Sequence, residues 1–348
     1  MKSFQIKNRL IGEDAPVYII AEMSANHAGS LERAKEIIHA AAESGADCIK
    51  IQTYTQDTIT IDCNKPCFQI TGGTWKDETL YSLYGKAYTP WDWQPLLKEE
   101  AEKAGLDFLS TPFDYSAVDF LDELGVDFYK IASFEAVDLP LIKYTASKGK
   151  PVIISTGMCS LAEIEDAVSV VHAAGNEQLA LLRCASAYPA VGEDMNLLTI
   201  CDMKEHFGVP VGLSDHSMGF VGAVCATALG AQIIEKHFCI SREIENPDSS
   251  FSMEPAEFNE MVLAVRDAEK ARGSIHYGAT ADEEANMRFR RSLFAVKDIA
   301  EGERFTPDNI RSIRPADGLE PKHYEEILGR TASGPIERGT PLTWDLIT

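Results

Sequence analysis

Val211–Phe238 reads VGLSDHSMGFVGAVCATALGAQIIEKHF. An apolar strand over Val211–Asp215 is followed by a small-residue helix over Val221–Leu229 and a second apolar strand over Ile233–Phe238. Strands apolar on both faces and joined through a helix belong to a parallel sheet covered by helices. Each strand leads into a histidine, His216 in the first and His237 in the second. Side chains alternate along a strand, so Ser214 shares a face with His216, and Glu235 with His237. If neighbouring strands turn those faces to a common axis, the two imidazoles converge at the strand ends. Two convergent histidines with open positions beside them suit a catalytic divalent metal. Two unrelated, hydrogen-bonded histidines are the other reading of the same pattern.

Upstream, the same unit repeats. Strands are predicted at Val17–Glu22, Cys48–Thr53, Asp107–Pro112, Phe128–Ser133, Pro151–Thr156 and Leu179–Cys184. Helices are predicted over Leu31–Ser44 (with Ser30 as N-cap and Gly45 as stop), Trp91–Ala104, Tyr115–Leu124, Leu139–Ser147, Leu161–Ala174 and Leu197–His206. The last strand precedes a long loop and a helix over Pro255–Arg272. Eight strand–helix units within about 270 residues predict an α/β fold, a (β/α)8 barrel of the TIM type. A doubly wound open sheet is the alternative, but no GxGxxG follows the first strand. Gln56–Lys86 interrupts the rhythm as a long irregular excursion with Gly72–Gly73 and several aromatics. The barrel is assigned to residues 1–273 and a polar linker to 274–287. A small β-rich module with short strands near Ser292–Val296 and Arg311–Arg314 is assigned to 288–348.

The chain has 348 residues, 45% hydrophobic, and a formal net charge of −22. That charge argues against nucleic acid or an anionic membrane as partner, though not against a small anion in a local cationic pocket. The 8 cysteines form no CxxC pair, and reduced core cysteines are expected. No signal-peptide pattern and no apolar run of membrane-spanning length is present, so a soluble cytoplasmic protein is expected.

A barrel of this type places catalysis at the C-terminal strand ends. Polar residues collect there: Glu22, Lys50, Gln52, Thr111, Lys130, Ser133, Glu135, Ser155, Ser186, Tyr188, Ser214, His216 and His237. A lone buried lysine is costly, yet Lys50 and Lys130 occupy late positions in two strands. A bound anion shared between them explains both, with the serine hydroxyls as further donors. A serine nucleophile would need a GxSxG elbow, which is absent. A lysine Schiff base would duplicate a metal as carbonyl activator. His27, His172, His206, His276 and His323 read as loop or helix-surface histidines.

The motifs AEMSANHAGS, IKIQTYT, STPFD, YKIASFE, ISTGM, GLSDHS and IEKHF, in this order, resemble the sialic acid synthase family over essentially the full length. That family joins a (β/α)8 barrel to a C-terminal antifreeze-like (SAF) domain, which VKDIAEGERFTPDNIRSIRP resembles. Within it, SANHAGS, IQTYT, TGGTW, IASFEA and NPDSSFSM look like the pseudaminic acid branch. The N-acetylneuraminate branch usually carries NHNG in the first loop and Asn in the sixth-strand motif. Here the corresponding sequences are NHAG and CASAYP, with Ser186. Legionaminic and N-acetylneuraminic acid synthases are the alternatives within the family.

The resemblance implies condensation of phosphoenolpyruvate with an acylated amino-hexose and release of phosphate. It assigns a divalent metal, Mn2+ ahead of Mg2+ or Co2+, to His216 and His237. It assigns phosphoenolpyruvate to Lys50, Thr111, Lys130, Ser133, Ser155, Ser186 and Ser214. Glu22 and Glu135 match active-site carboxylates, and Gln52, Tyr188 and Asp248 match sugar contacts. Arg314 matches an arginine that enters the partner's site in a domain-swapped homodimer. Two other classes are a metal-dependent barrel hydrolase, which would show HxH on the first strand, and a non-enzymatic sugar-binding protein.

Overall fold

A computed structural model describes residues 2–13 and 15–348 of the chain. It divides into two compact units, Met1–Gly273 and Ser274–Thr348. The first opens with an antiparallel hairpin, β1 (Phe4–Ile6) and β2 (Arg9–Ile11). Eight strands then form one sheet: β3 (Tyr18–Glu22), β4 (Cys48–Thr53), β5 (Asp107–Pro112), β6 (Tyr129–Ile131), β7 (Val152–Ser155), β8 (Leu179–Cys184), β9 (Val211–Asp215) and β10 (Ile233–His237). Their order is β5-β4-β3-β10-β9-β8-β7-β6, every ladder is parallel, and β5 and β6 lie side by side. This is the predicted barrel.

The helices between strands form for local reasons. In Leu31–Glu43 the Ser30 hydroxyl accepts the Arg33 N–H, capping the first turn, and Gly45 follows the helix at φ +87°. Ala34, Ile37, Ile38 and Ala41 make its buried stripe, the i, i+3, i+4, i+7 spacing of one helix face. That stripe joins Ile19, Ala21, Ile49 and Ile51 in the core between sheet and helices.

The alternate strand residues point into the barrel. Ile20, Cys48, Leu109, Phe128, Ile153, Leu182 and Ile233 form a separate apolar cluster with Phe4, Ile6 and Ile11 of the hairpin. The hairpin thus closes one end of the barrel, a role its short strands did not announce. Gly212 on β9 is required by packing: a Cβ there would lie 2.2 Å from the Ile233 carbonyl oxygen.

In the second unit, β11 (Ser292–Ala295) pairs antiparallel with β12 (Ile310–Ile313). Leu293, Ile299, Phe305, Ile310, Ile336 and Leu342 are among its core residues. The segment expected as a bare polar linker is partly helical, with turns at Ala281–Glu284 and Ala285–Phe289. Thr280 and Glu283 make a reciprocal capping box, a local signal that outweighs the missing apolar stripe.

Two expectations change. His27 is buried rather than superficial: its Nε2 lies 3.3 Å from the Thr89 hydroxyl and its Nδ1 accepts the Gly29 N–H. Of the cysteines only Cys48, Cys184 and Cys239 are buried; Cys67, Cys201 and Cys225 are exposed. Among the described residues no helix is long and apolar enough to cross a membrane.

Candidate active site

Two residues beyond the apolar cluster, the inward positions become polar. Glu22 follows Ile20, Lys50 follows Cys48, Lys130 follows Phe128, Ser155 follows Ile153, and Glu235 and His237 follow Ile233. Strand register sets their neighbours: His237 pairs with Glu22, Glu22 with Lys50, and Glu235 with Ser214.

The lysines are not alone. The Lys50 ammonium lies 3.0 Å from Glu22 Oε2 and 3.1 Å from Glu235 Oε1. Lys130 lies 3.6 Å from Glu235 Oε1 and donates to the Ser155 hydroxyl at 2.6 Å. Ser214 donates to Glu235 Oε1 at 3.1 Å. Gln52 donates to Glu22 Oε1 and to the Ser24 hydroxyl, both at 3.0 Å. All four charged groups are at most 5% exposed. Carboxylates of the same barrel therefore supply counter-charge to both lysines, beside any external anion. Glu235 was absent from the sequence reading, although its shared face with His237 was the available signal.

Burial would raise the Glu235 carboxyl, but Lys130 and Lys50 more than offset it and hold it low. Burial and the Glu235 charge push Glu22 up against the pull of Lys50. Burial works against charge on Lys50, yet Glu22 and Glu235 hold its pKa high. Lys130 is lowered by burial, with Lys50 adding to it. Two lysines thus face one carboxylate held low and one pushed up.

Ser133 and Ser186 gather near the end of β7. The Gly157 N–H donates to the Ser133 hydroxyl at 3.1 Å. A Cβ on Gly157 would meet the Ser186 hydroxyl at 2.0 Å and the Ser133 hydroxyl at 2.8 Å. This is a small cradle of donors that only glycine permits. Thr111, registered with Gln52, keeps a buried hydroxyl without a hydrogen-bond partner. Glu135 lies just past β6 in the turn Ser133–Glu135, with Oε2 buried and unpaired. Burial raises its pKa to about 7 despite nearby Lys130.

The two histidine rings lie edge to face, with centroids 5.3 Å apart. His216 Nδ1 lies 3.1 Å from the Ala185 carbonyl oxygen. As its donor, that nitrogen leaves Nε2 as the lone-pair atom, the arrangement typical of a metal-ligating imidazole. Burial and the neighbouring His216 hold His237 neutral, and its buried Nδ1 has no partner. Burial works against charge on His216, but its contacts with Cys184 and the Ala185 carbonyl raise its pKa, so a divalent cation held by these two imidazoles would displace a proton from His216. No group of three or more His, Cys, Asp or Glu is placed to hold one among the described residues, so remaining positions would fall to substrate or water.

Tyr188 lies tilted over His216 with centroids 4.3 Å apart, and Phe251 packs edge-on against His237 at 5.0 Å. Asp248 is buried and accepts the Ala25 N–H, tying the loop after β10 to the loop after β3. Arg314 directly follows β12 in the second unit and is exposed. Sequence reasoning passed over Cys184, whose Sγ lies 3.7 Å from His216 Nδ1, and Phe251.

Residues 37–277 match the NeuB family, and residues 290–348 match the SAF domain. The chain belongs to the NeuB family. Its relatives include the pseudaminic acid synthase of Campylobacter jejuni, 47% identical over 94% of this chain and 96% of that protein. The pseudaminic acid synthase of Helicobacter pylori is 45% identical over 95% of this chain and 97% of that protein. Among solved structures, the N-acetylneuraminic acid synthetase of Leptospira borgpetersenii, in complex with citrate, superposes with a TM-score of 0.75 at 34% identity. It covers 83% of this chain and 96% of that one. The NeuB match covers the polar layer from Lys50 to His237, with Glu22 lying before it, and the SAF match covers residues 290–348 of the second unit.

Proposed function

We propose that the protein is a pseudaminic acid synthase. It condenses phosphoenolpyruvate with 2,4-diacetamido-2,4,6-trideoxy-L-altrose to give pseudaminic acid and phosphate. The observation that carries the reaction class is the joint placement of the Lys50–Glu22–Glu235–Lys130 cluster and the His216–His237 pair on one end of the barrel. The acceptor rests on the relatives named pseudaminic acid synthase, 45–47% identical across nearly the full length. We place the reaction in the cytoplasm, where phosphoenolpyruvate is made.

Phosphoenolpyruvate binds with its anionic groups toward Lys50 and Lys130 and the hydroxyls of Thr111, Ser133, Ser155, Ser186 and Ser214. Charge-assisted contacts in a buried site are strong and directional. His216 and His237 would hold a divalent metal, Mn2+ for preference, which when bound polarises the sugar aldehyde as a Lewis acid. C3 of phosphoenolpyruvate forms the new C–C bond to the aldehyde carbon, whose oxygen takes a proton. Positive charge then develops at C2. Water adds there, and the tetrahedral intermediate expels phosphate by C–O cleavage. Glu135 is the acid–base group in this reading, because its unpaired oxygen and pKa of about 7 suit proton exchange near neutrality. Glu22, engaged by Lys50 and Gln52, stabilises the cation. Gln52, Tyr188 and Asp248 are assigned to the sugar side.

The test is phosphate release with purified protein, with and without divalent metal, across candidate hexosamines. The diacetamido-trideoxy-altrose should surpass N-acetylmannosamine in kcat/KM. A clear preference for N-acetylmannosamine would move the chain to the neuraminate branch. Phosphate release that needs no aldose acceptor would overturn the synthase reading. A swapped homodimer in which Arg314 completes the partner's site belongs to the same proposal. Mixing Lys50→Ala with Arg314→Ala should restore part of the activity after subunit exchange, and exchange without recovery would remove it.

A further inference from the structure

The excursion between β4 and β5 is partly ordered into a finger. Gln69 and Thr79 bridge antiparallel, the Ile70 N–H donates to the Glu78 carbonyl, and the Asp77 N–H donates back to that of Ile70. The tip is Gly72-Gly73-Thr74-Trp75, with Gly73 at φ +76° to make the turn. In the order β5-β4-β3-β10-β9-β8-β7-β6, β8 is four strands from β4 in either direction. The loop after β8 is therefore diametrically across the barrel from the finger's root. The tip docks there: the Thr74 hydroxyl donates to the Tyr188 carbonyl oxygen at 2.7 Å. The Trp75 indole N–H donates to the Pro247 carbonyl oxygen, beyond β10, at 2.8 Å.

Docking also completes an aromatic wall. Trp75 lies 5.5 Å from Tyr188 and 6.4 Å from Phe251. Those two rings are the ones packed on His216 and His237. Thr74 is exposed and Trp75 half-buried, so this contact contributes little to the core. A hairpin tip reaching over the barrel mouth to two backbone carbonyls and two active-site rings needs another reason.

We propose that Trp75 is a positioning residue for the acceptor sugar. It clasps the finger shut across the mouth and holds Tyr188 in its tilted contact with His216, so that the closed aromatic wall packs on the acylated sugar. The inference rests on the synthase reading. Phosphoenolpyruvate, seated on the charged floor below, does not depend on the clasp. Loss of the clasp therefore weakens sugar binding selectively.

The experiment is steady-state kinetics of Trp75→Ala, Trp75→Phe and Thr74→Val, using whichever aldose acceptor the wild type turns over best. A wrong acceptor assignment then shows in the wild-type ranking and leaves the Trp75 comparison intact. Trp75→Ala should raise KM for the acceptor about tenfold or more, as expected for losing aromatic pairs and one hydrogen bond. KM for phosphoenolpyruvate should stay within about twofold, since the charge-assisted contacts are untouched. Trp75→Phe should recover most of the loss by restoring the stack, and Thr74→Val should fall between wild type and Trp75→Ala. Equal increases in both KM values, an unchanged acceptor KM, or a Phe variant no better than Ala would overturn the proposal. If Trp75→Ala fails to fold, the acceptor-selective rise in the other two variants carries the same test.

Discussion

The barrel interior has two halves that differ by one step of the strand period. In the lower half, Ile20, Cys48, Phe128, Ile153 and Ile233 pack as an apolar plug sealed by the N-terminal hairpin. In the upper half, the next inward residues on the same strands are Glu22, Lys50, Lys130, Ser155 and Glu235, nearly as well buried. The lower half stabilises the fold by removing apolar surface from water. The upper half keeps ions out of water in an arrangement that is weak evidence for stability. One set of strands thus holds a stable floor and, two residues further on, a charged reaction chamber.

The sharpest break between the halves comes from one substitution in each. His237→Ala should reduce phosphate release by about a thousandfold or more, the scale of losing a principal electrostatic element of an active site. Its thermal unfolding midpoint should stay close to wild type. Phe128→Ala should do the reverse, lowering unfolding free energy by about 3–5 kcal/mol while the folded fraction keeps its KM values. If His237→Ala unfolds the protein or Phe128→Ala shifts the KM for phosphoenolpyruvate, the division is wrong. Chelation offers a milder break: activity should vanish and return with Mn2+, and full activity in chelator would remove the metal from the upper half.

Lys50→Met tests whether the charged cluster works as a unit. Glu22 and Glu235 would be left facing each other, costing about 3–5 kcal/mol. Adding Glu235→Gln should return much of that stability and none of the activity. A single variant as stable as wild type would show that Lys50 is not the partner that keeps both carboxylates charged. The smallest effect is expected from pH. Glu135 is protonated below about pH 7 and charged above it. If it serves as the base, kcat should rise through that pH, and Glu135→Gln should lose this limb. A limb that persists in the variant assigns the proton transfer elsewhere.

Much of the upper half was legible in the sequence. Lys50 in CIKIQT and Lys130 in YKI are polar interruptions of strands that otherwise read as fully buried, and such interruptions mark a site. Their pairing was not legible. Glu235 reaches Lys50 across strand β3 and reaches Lys130 from the far side of the barrel, contacts that no spacing along the chain encodes. The excursion 56–86 reads as irregular, yet Gln56–Ile59 and Leu80–Ala87 are helical, the second capped by the Thr79 hydroxyl accepting the Ser82 N–H. The tip at Thr74 and Trp75 owes its place to contacts at Tyr188 and Pro247 that no local pattern encodes. His27 read as a loop histidine because its partners, Thr89 and Trp93, lie more than sixty residues away in sequence.

The sequence by itself determined the eight strand–helix units, the inward-facing residues of each strand and the two histidines at the strand ends. All of these follow from backbone geometry, which repeats every two residues in a strand and every 3.6 in a helix. Only the tertiary structure decided which charges neutralise one another, how far each carboxyl is pushed from its ordinary pKa, and where the finger lands. Those outcomes depend on distances across the barrel and on exclusion of water. Closure of the sheet sets both at once for residues remote in the chain.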